Sequence, residues 1–121
     1  MPVLIVNNDS FFLHKLRQAF ETQGHKVVVS KNSAIASQLF LLHKPRAVIL
    51  DIFMENKDGF ELLKELRNIC KKTPIIAVSK DDRYLRAIQK LGATMALPKS
   101  LEPKHIVSLV NLHSIDYKAF A

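Results

Sequence analysis

The amino-acid sequence predicts an α/β domain in which a parallel β-sheet carries helices on both faces. Five short apolar runs, rich in β-branched residues, are typical of strands buried on both faces. Between these runs, apolar residues recur at spacings of three and four, which is the period of amphipathic helices. The length of 121 residues fits one domain, residues 1–121.

Each predicted strand is a short apolar run that ends in polar or turn-forming residues. We predict strands over Val3–Val6, Val27–Val29, Ala47–Leu50, Ile75–Val78 and Met95–Leu97. Pro45 and Pro74 mark the loops before the third and fourth strands. Because the runs are wholly apolar, we expect helices to cover both faces of the sheet.

Helical periodicity follows each of the first two strands. The first helix is predicted to begin at Ser10, with Asp9 or Ser10 as its N-cap, and Gly24 can end it. The second helix is predicted over Ser33–His43. Its inner residues are predicted to be Ile35, Leu39 and Leu42.

Three more helices follow the last three strands. The third begins after the Asp58–Gly59 turn, the fourth stops at Gly92, and the fifth begins near Pro103, which suits a first turn. Their inner residues are predicted to be Phe60, Leu63, Leu66, Cys70, Leu85, Ile88, Leu91, Ile106, Val107 and Val110. With right-handed crossovers, this alternation favours a flavodoxin-like, doubly wound (βα)5 sheet in the order 2-1-3-4-5.

Polar residues stand at the carboxyl ends of the predicted strands. Asn7, Asn8 and Asp9 follow strand one, and Asp51, Ser79 and Lys99 follow strands three, four and five. Taken alone, Asp51 is either a loop-starting residue or a reactive carboxylate. Because the carboxyl ends of parallel strands meet at one edge of the sheet, where ligands bind, their convergence favours a functional site.

Composition excludes several classes of protein. Cys70 is the only cysteine, so the chain has no internal disulfide. The five histidines are scattered without metal-ligand spacing. The N-terminal apolar stretch is too short for a signal peptide or a membrane span, so we expect a cytoplasmic protein. We also expect a monomer or a weak dimer.

The chain resembles the receiver domain of two-component response regulators from Val3 to the last helix. The motifs that carry the resemblance are ILDIFMENKDGFELLKELR, PIIAVS and LGATMALPKS. The resemblance implies that Asp51 accepts a phosphoryl group from a histidine kinase or phosphotransfer protein. It also implies that Ser79 hydrogen-bonds this group, and that Lys99 pairs with Asp51 and then with a phosphoryl oxygen. Carboxylates, hydroxyls and ammonium groups suit these roles.

The metal site departs from the family pattern. The resemblance implies two adjacent acidic residues that hold Mg²⁺ together with the acceptor aspartate, but this chain has Asn7 and Asn8. Amide oxygens bring no charge, and Mg²⁺ prefers carboxylates, so we expect weak Mg²⁺ binding or none. Asp9 contributes to a metal site only if it turns inward, and we favour a helix cap at this position.

Three further positions and one segment also depart from the pattern. Glu55 replaces a proline, and Ala96 replaces the aromatic residue that acts as a switch in the family. Ser100 replaces the proline that follows the lysine through a cis bond, so the Lys99–Ser100 bond is either a strained cis bond or trans. The segment between strand four and Gly92 is short for the family, so we expect a fourth helix that starts late or is short.

The formal net charge of +7 indicates a basic surface. Arg83, Arg86 and Lys90 are spaced to share one helix face, which is either a solvated face or a docking surface for an acidic protein partner. No nucleic-acid motif is present, and no basic run is interleaved with aromatic residues, so nucleic acid is not favoured as the partner.

We interpret the chain as a stand-alone atypical receiver that acts as a protein-interaction module, with weak or absent Mg²⁺-dependent phosphorylation. The alternative is an ordinary receiver that is switched by phosphorylation of Asp51. An enzyme is disfavoured. The NNDSFF stretch is not a flavin phosphate loop, and Asp51-Ile52-Phe53 lacks the second aspartate of haloacid-dehalogenase-like enzymes.

Overall fold

The structure is a computed structural model that describes the backbone of residues 1–54 and 59–120 and the side chains of residues 1–54 and 59–112. The strands are β1 Val3–Val6, β2 Val27–Ser30, β3 Ala47–Asp51, β4 Ile75–Ser79 and β5 Met95–Pro98. The helices are α1 Ser10–Thr22, α2 Ala36–His43, α3 Gly59–Ile69, α4 Leu85–Lys90 and α5 Pro103–Phe120. Short 3₁₀ turns, Ser33–Ile35 and Asp82–Tyr84, precede α2 and α4.

The sheet confirms the predicted topology. Its strands are parallel and lie in the order β2-β1-β3-β4-β5. The register places Ile5 beside Ile49, and Ile49 beside Ile76, at the centre of the sheet. The carboxyl ends of β3, β4 and β5 therefore lie at one edge, as the sequence predicts.

Side-chain alternation explains why the strands are wholly apolar. In β1, Val3 and Ile5 pack against residues of α1 and α5, whereas Leu4 and Val6 pack against residues of α2, α3 and α4. Alternate residues of a strand point to opposite faces, and helices cover both faces here. The sheet thus lies between two apolar clusters, one on each of its faces.

The strand ends extend one residue further than predicted in four cases. Ser30, Asp51, Ser79 and Pro98 each continue the ladder. A polar side chain does not stop a backbone from pairing, so the end of an apolar run marks the end of the core rather than the end of the strand.

The predicted inner face of the second helix is wrong at two of its three positions. Ile35 is 45% exposed and Leu42 is 74% exposed, while Ala36 and Phe40 are buried and Leu39 is half-buried. The first turn is a 3₁₀ turn with Asn32 as its N-cap. Because a 3₁₀ turn has three residues per turn, the α-helical phase begins only at Ala36 and the buried face rotates.

The other helices follow the predictions more closely. Leu63, Leu66, Ile88 and the three predicted residues of α5 are buried. Phe60, Cys70, Leu85 and Leu91 are only half-buried, and Leu62 is a buried residue of α3 that the sequence did not predict. The prediction of a late and short fourth helix is confirmed, since α4 spans six residues after its 3₁₀ turn. No helix among the described residues is long and apolar enough to cross a membrane.

Candidate functional site

Asp51 is the last residue of β3 and lies at the carboxyl edge of the sheet. It is only 1% exposed. One carboxylate oxygen, Oδ1, accepts a hydrogen bond from the Phe53 amide at 3.1 Å, and the other, Oδ2, lies 3.0 Å from Lys99 Nζ. A buried carboxylate is tolerated only with such partners, so the loop amide and the ammonium group together account for its burial.

The Lys99 ammonium group bridges two carboxylates. Its Nζ lies 3.0 Å from Asp51 Oδ2 and 3.1 Å from Asp9 Oδ2, and the ring centroid of Phe12 lies 5.2 Å away. The Lys99 amide donates to the Ser79 carbonyl at 2.9 Å, which fixes the backbone beside β4. Burial alone would lower the pKa of Lys99, but the bonds to Asp51 and Asp9 raise it above its ordinary value.

The Lys99–Ser100 peptide is trans, since the described residues contain no cis peptide bond. The sequence leaves the conformation of this bond open. With a trans bond the lysine still reaches Asp51, so the missing proline does not displace its side chain from the site.

Asp9 has two roles at once. Its Oδ1 accepts from the Phe12 amide at 3.3 Å, which confirms the predicted helix cap. Its Oδ2 pairs with Lys99, which the sequence analysis did not predict. The bond from the Phe12 amide, followed by the bond from Lys99, lowers the pKa of Asp9 below its ordinary value. Each of the two carboxylate oxygens of Asp9 therefore has its own partner, the helix that it caps and the Lys99 ammonium group.

Asn7 is fully buried, and its side-chain amide is fixed by its own turn. Its Oδ1 accepts from the Asp9 amide at 2.7 Å, so the amide cannot flip without leaving that donor unpaired. Its Nδ2 is buried and has no hydrogen-bond partner among the described residues. Asn8 is half-buried. The Asn7 side chain therefore keeps one buried N–H₂ group without an acceptor among the described residues.

Ser79 is fully buried and takes part in a local turn. Its Oγ donates to the Asp81 carbonyl at 2.8 Å and accepts from the Asp81 amide at 3.0 Å. The end of β2 repeats this arrangement, because Ser30 Oγ donates to the Asn32 carbonyl and accepts from the Asn32 amide. Both turns have a Ser-Lys-Asx sequence and lead into a 3₁₀ turn. The turn explains the hydroxyl at position 79 in local terms, and the repeat was visible in the sequence.

The three predicted basic residues do not share one α-helical face. Arg83 lies in the 3₁₀ turn, and its guanidinium folds back onto Asp81 at 2.6 to 3.2 Å. This carboxylate raises the pKa of Arg83, and in turn Arg83 lowers the pKa of Asp81 to about 2. Arg86 and Lys90 are exposed on α4. The free positive charge of this face therefore comes from α4 rather than from the turn before it.

Ala96 and Glu55 are the two remaining positions at which the sequence departs from the family pattern. Ala96 is half-buried on β5 and packs against the apolar cluster that includes Ile88 of α4. Its methyl group has no alternative rotamer. Glu55 lies outside the described residues.

Comparisons with known proteins agree with this geometry. The family model described as "Response regulator receiver domain" matches residues 3–111. Response regulator MprA of Mycobacterium sp. (strain KMS) is 31% identical over 103 residues, which cover 82% of this chain and 45% of that protein. DNA-binding transcriptional regulator NtrC of Bradyrhizobium sp. (strain RP501 Parasponia) is 26% identical over 89% of this chain and 23% of its own length. The chain thus spans less than half the length of these curated relatives.

Solved structures give the same result for the fold. A CheY-like receiver domain protein from Methanospirillum hungatei JF-1 superposes with a TM-score of 0.91 at 17% identity, over 99% of this chain and 98% of that one. The receiver domain of the Francisella response regulator 1452 superposes with a TM-score of 0.86 at 24% identity, over the same shares of the two chains.

Proposed function

The chain belongs to the response regulator receiver domain family, and on that premise we propose that it is an atypical receiver that acts through protein contacts, with weak or absent Mg²⁺-dependent phosphorylation at Asp51. The observation that carries this proposal is the position of the Lys99 ammonium group. It lies within 3.1 Å of the carboxylates of both Asp9 and Asp51. The protein's own cation thus neutralises the two carboxylates that a metal ion would need.

The donor set fits Mg²⁺ poorly. Mg²⁺ demands near-ideal octahedral geometry and favours carboxylates. Asn7 directs its oxygen to the Asp9 amide, so this oxygen already accepts a hydrogen bond and brings no formal charge to a cation. Within the described ranges, His, Cys, Asp and Glu form no group of three or more that could hold a metal ion. We therefore expect weak Mg²⁺ binding or none.

Under this proposal Asp51 is a structural carboxylate. It orders the loop after β3 through the Phe53 amide and ties β3 to β5 through Lys99. Removal of either partner of such a buried pair leaves an uncompensated charge, whereas the intact pair is close to neutral in free energy. The pair therefore fixes the shape of the sheet edge without any chemical step.

The alternative is an ordinary receiver that is switched by phosphorylation of Asp51. The observation that favours it is the same Asp51–Lys99 contact, because a lysine 3.0 Å from the carboxylate can follow a transferred phosphoryl group. The two functions differ in their demand for metal. Only the ordinary receiver needs Mg²⁺ at working concentrations.

Restoring the acidic pair should separate these functions. We expect Asn7→Asp/Asn8→Asp to raise Mg²⁺ affinity by about tenfold or more, because it adds two formal negative charges at the end of β1. Calorimetric titration with Mg²⁺ measures the affinity, and labelling with acetyl phosphate measures phosphorylation of Asp51. Asn8→Asp alone, at a half-buried position, is the variant that least disturbs the fold.

The control is the same pair of substitutions combined with Asp51→Asn, which should abolish labelling. Mg²⁺ binding by the unmodified protein as tight as that of the acidic variants would overturn the proposal, and so would labelling at the same rate. The ordinary, phosphate-switched receiver would then take its place.

We further propose that the exposed face of α4 contacts an acidic protein partner independently of phosphorylation. Within the part of the chain that the structure describes, Arg86 and Lys90 carry positive charge without an ion-pair partner, whereas Arg83 is paired with Asp81. Charges at the rim of an interface act mainly on association rate and salt dependence. We therefore expect Arg86→Glu/Lys90→Glu to weaken capture of the partner from cell extract several-fold at low salt and less at high salt.

The matched control is Lys71→Glu/Lys72→Glu, which makes the same change in net charge at exposed residues after α3. It should leave capture unchanged, and so should Asp51→Asn. Loss of capture in Asp51→Asn together with normal capture in the α4 variant would contradict a phosphorylation-independent contact.

A further inference from the structure

A cavity lies at the amino edge of the sheet, opposite the edge that carries Asp51. Its volume is about 300 Å³. It opens between the end of α2, the end of α3 and the residues that precede β3 and β4. Its apolar walls include Phe40, Leu41, Ile69 and Pro74. Because Leu41 is 57% exposed and Ile69 is 39% exposed, an occupant of this cavity would cover apolar surface that now faces water.

The two charged side chains that line this cavity are both cationic. Lys44 and Arg46 contribute to its lining, and no acidic residue does so among the described residues. Arg46 is half-buried, and its Nε is buried without a hydrogen-bond partner in the described part of the chain. A guanidinium N–H that is withdrawn from water and has no acceptor is costly. Because Nε is closed off from solvent, a ligand in the cavity would contact the guanidinium through its outer nitrogens, Nη1 and Nη2.

Backbone hydrogen bonds fix the turn that carries Lys44 and Arg46. Lys44 has a φ of 46°, in the left-handed region, and its amide donates to the Phe40 carbonyl to end α2. The Arg46 amide donates to the Pro2 carbonyl at 2.9 Å. The two cations are therefore carried on a fixed turn between α2 and β3, and both line the same opening.

We propose that this cavity binds an aliphatic carboxylate, with the chain between α2 and α3 and the carboxylate on Arg46 and Lys44. An apolar cavity with a few convergent polar groups is typical of small-molecule sites, and about 300 Å³ is the lower end of their range. That volume accommodates one alkyl chain. Arg and Lys are the side chains that bind carboxylates.

Other occupants fit these features less well. An amphipathic helix needs a long open groove for anchors at successive turns, whereas this site is a single small cavity. A second copy of the chain would bring another net charge of +7 to an opening that already carries two cations. An aliphatic carboxylate matches both the apolar walls and the two cationic side chains.

Cys70 supplies a site-specific readout. It lines the cavity, is half-buried, and is the only cysteine of the chain. We expect decanoate, below the concentration at which it forms micelles, to slow alkylation of Cys70 by the neutral reagent iodoacetamide several-fold. Decan-1-ol should protect more weakly, and acetate should not protect. Calorimetry of the unmodified protein with decanoate should show one site.

Substitutions at the cations test the carboxylate contact. Arg46→Met should weaken decanoate binding about tenfold while binding of decan-1-ol stays the same, since one charge-assisted pair is lost. If Arg46→Met does not fold, Lys44→Met at an exposed position serves the same purpose with a smaller loss. Lys64→Met, which removes an exposed cation of α3 that does not line the cavity, is the matched control and should bind decanoate normally.

Several results would overturn the proposal. Equal binding of decanoate and decan-1-ol would mean that the cavity is apolar without an anion site. Decanoate binding without protection of Cys70 would place the ligand elsewhere. Binding of an acidic amphipathic peptide at this surface, with no binding of decanoate, would assign the face to a protein. None of these measurements involves Asp51 or Mg²⁺, so the proposed function can fail while this one stands.

Discussion

Replacement of Arg67 by methionine is expected to lower the free energy of unfolding by about 3 kcal/mol. The Arg67 guanidinium donates to three carbonyls, those of Gly92 at 2.6 Å, Thr73 at 2.7 Å and Cys70 at 3.2 Å, and to Thr94 Oγ1 at 3.1 Å. It thereby joins the end of α3 to the loops before β4 and β5. Methionine keeps the apolar stem but leaves these acceptors without their donor.

Chemical denaturation in urea measures this loss. Arg67→Lys should recover only part of the lost stability, because one ammonium group cannot reach all four acceptors that the planar guanidinium contacts. Lys64→Met is the control on the same helix, and it should change stability by less than about 0.5 kcal/mol because Lys64 is exposed. Full stability in Arg67→Lys would show that a single charge, rather than the four-way contact, holds this corner together.

The role of Arg67 could not be predicted from the sequence. Its acceptors lie between three and 27 residues away along the chain, and backbone carbonyls carry no sequence signal. Periodicity places Arg67 only on the outer side of α3. Burial lowers its pKa, which is the structural sign of a cation that faces the protein instead of water.

The fold, by contrast, was predictable because each strand must cover both of its faces. Wholly apolar runs such as Ala47–Leu50 indicate a doubly covered parallel strand, and the right-handed crossover leaves few strand orders. The flavodoxin-like order, which the length of the chain favours, is the observed one. The phase of α2 was not predictable in this way. The pattern of Ile35, Leu39 and Leu42 fits an ideal α-helix, but the Asn32 cap starts a 3₁₀ turn that rotates it.

The position of the candidate site was predictable from the strand ends, and the resemblance implied one of its contacts, the Asp51–Lys99 pair, but the other contacts were not predictable. Strand ends place Asp51, Ser79 and Lys99 at one edge, and the structure brings Asp51 and Lys99 into contact. The hydrogen bonds of the Ser79 hydroxyl run to its own turn. The Asp9–Lys99 pair depends on a side-chain direction at the first turn of α1, which sequence spacing does not encode.

The second large effect on stability is expected at Gly59, which packs against the backbone of Ile52 shortly after Asp51. Gly59→Ala is expected to lower the free energy of unfolding by about 3 kcal/mol, because a buried position would be overpacked. A Cβ at Gly59 would lie 2.5 Å from the Ile52 Cα and 2.7 Å from its carbonyl carbon. Ile52 cannot retreat, since it is buried and its amide donates to the Val78 carbonyl at 3.1 Å. The better helix propensity of alanine offsets at most about 1 kcal/mol of this cost.

Gly24→Ala is the matched control, because the obstacle there is conformational and not spatial. Gly24 has a φ of +85°, and a Cβ there would meet nothing within 4 Å. Alanine in this region costs about 1 kcal/mol, so urea denaturation should rank Gly59→Ala as clearly the less stable variant. Gly59→Ala should also shift the NMR signals of the Asp51 and Phe53 amides, since the Gly59 amide donates to the Ile52 carbonyl between them at 3.1 Å. Equal losses of unfolding free energy in the two variants, together with unshifted Asp51 and Phe53 amide signals, would contradict this prediction. The backbone at Ile52 would then relax around the new methyl group.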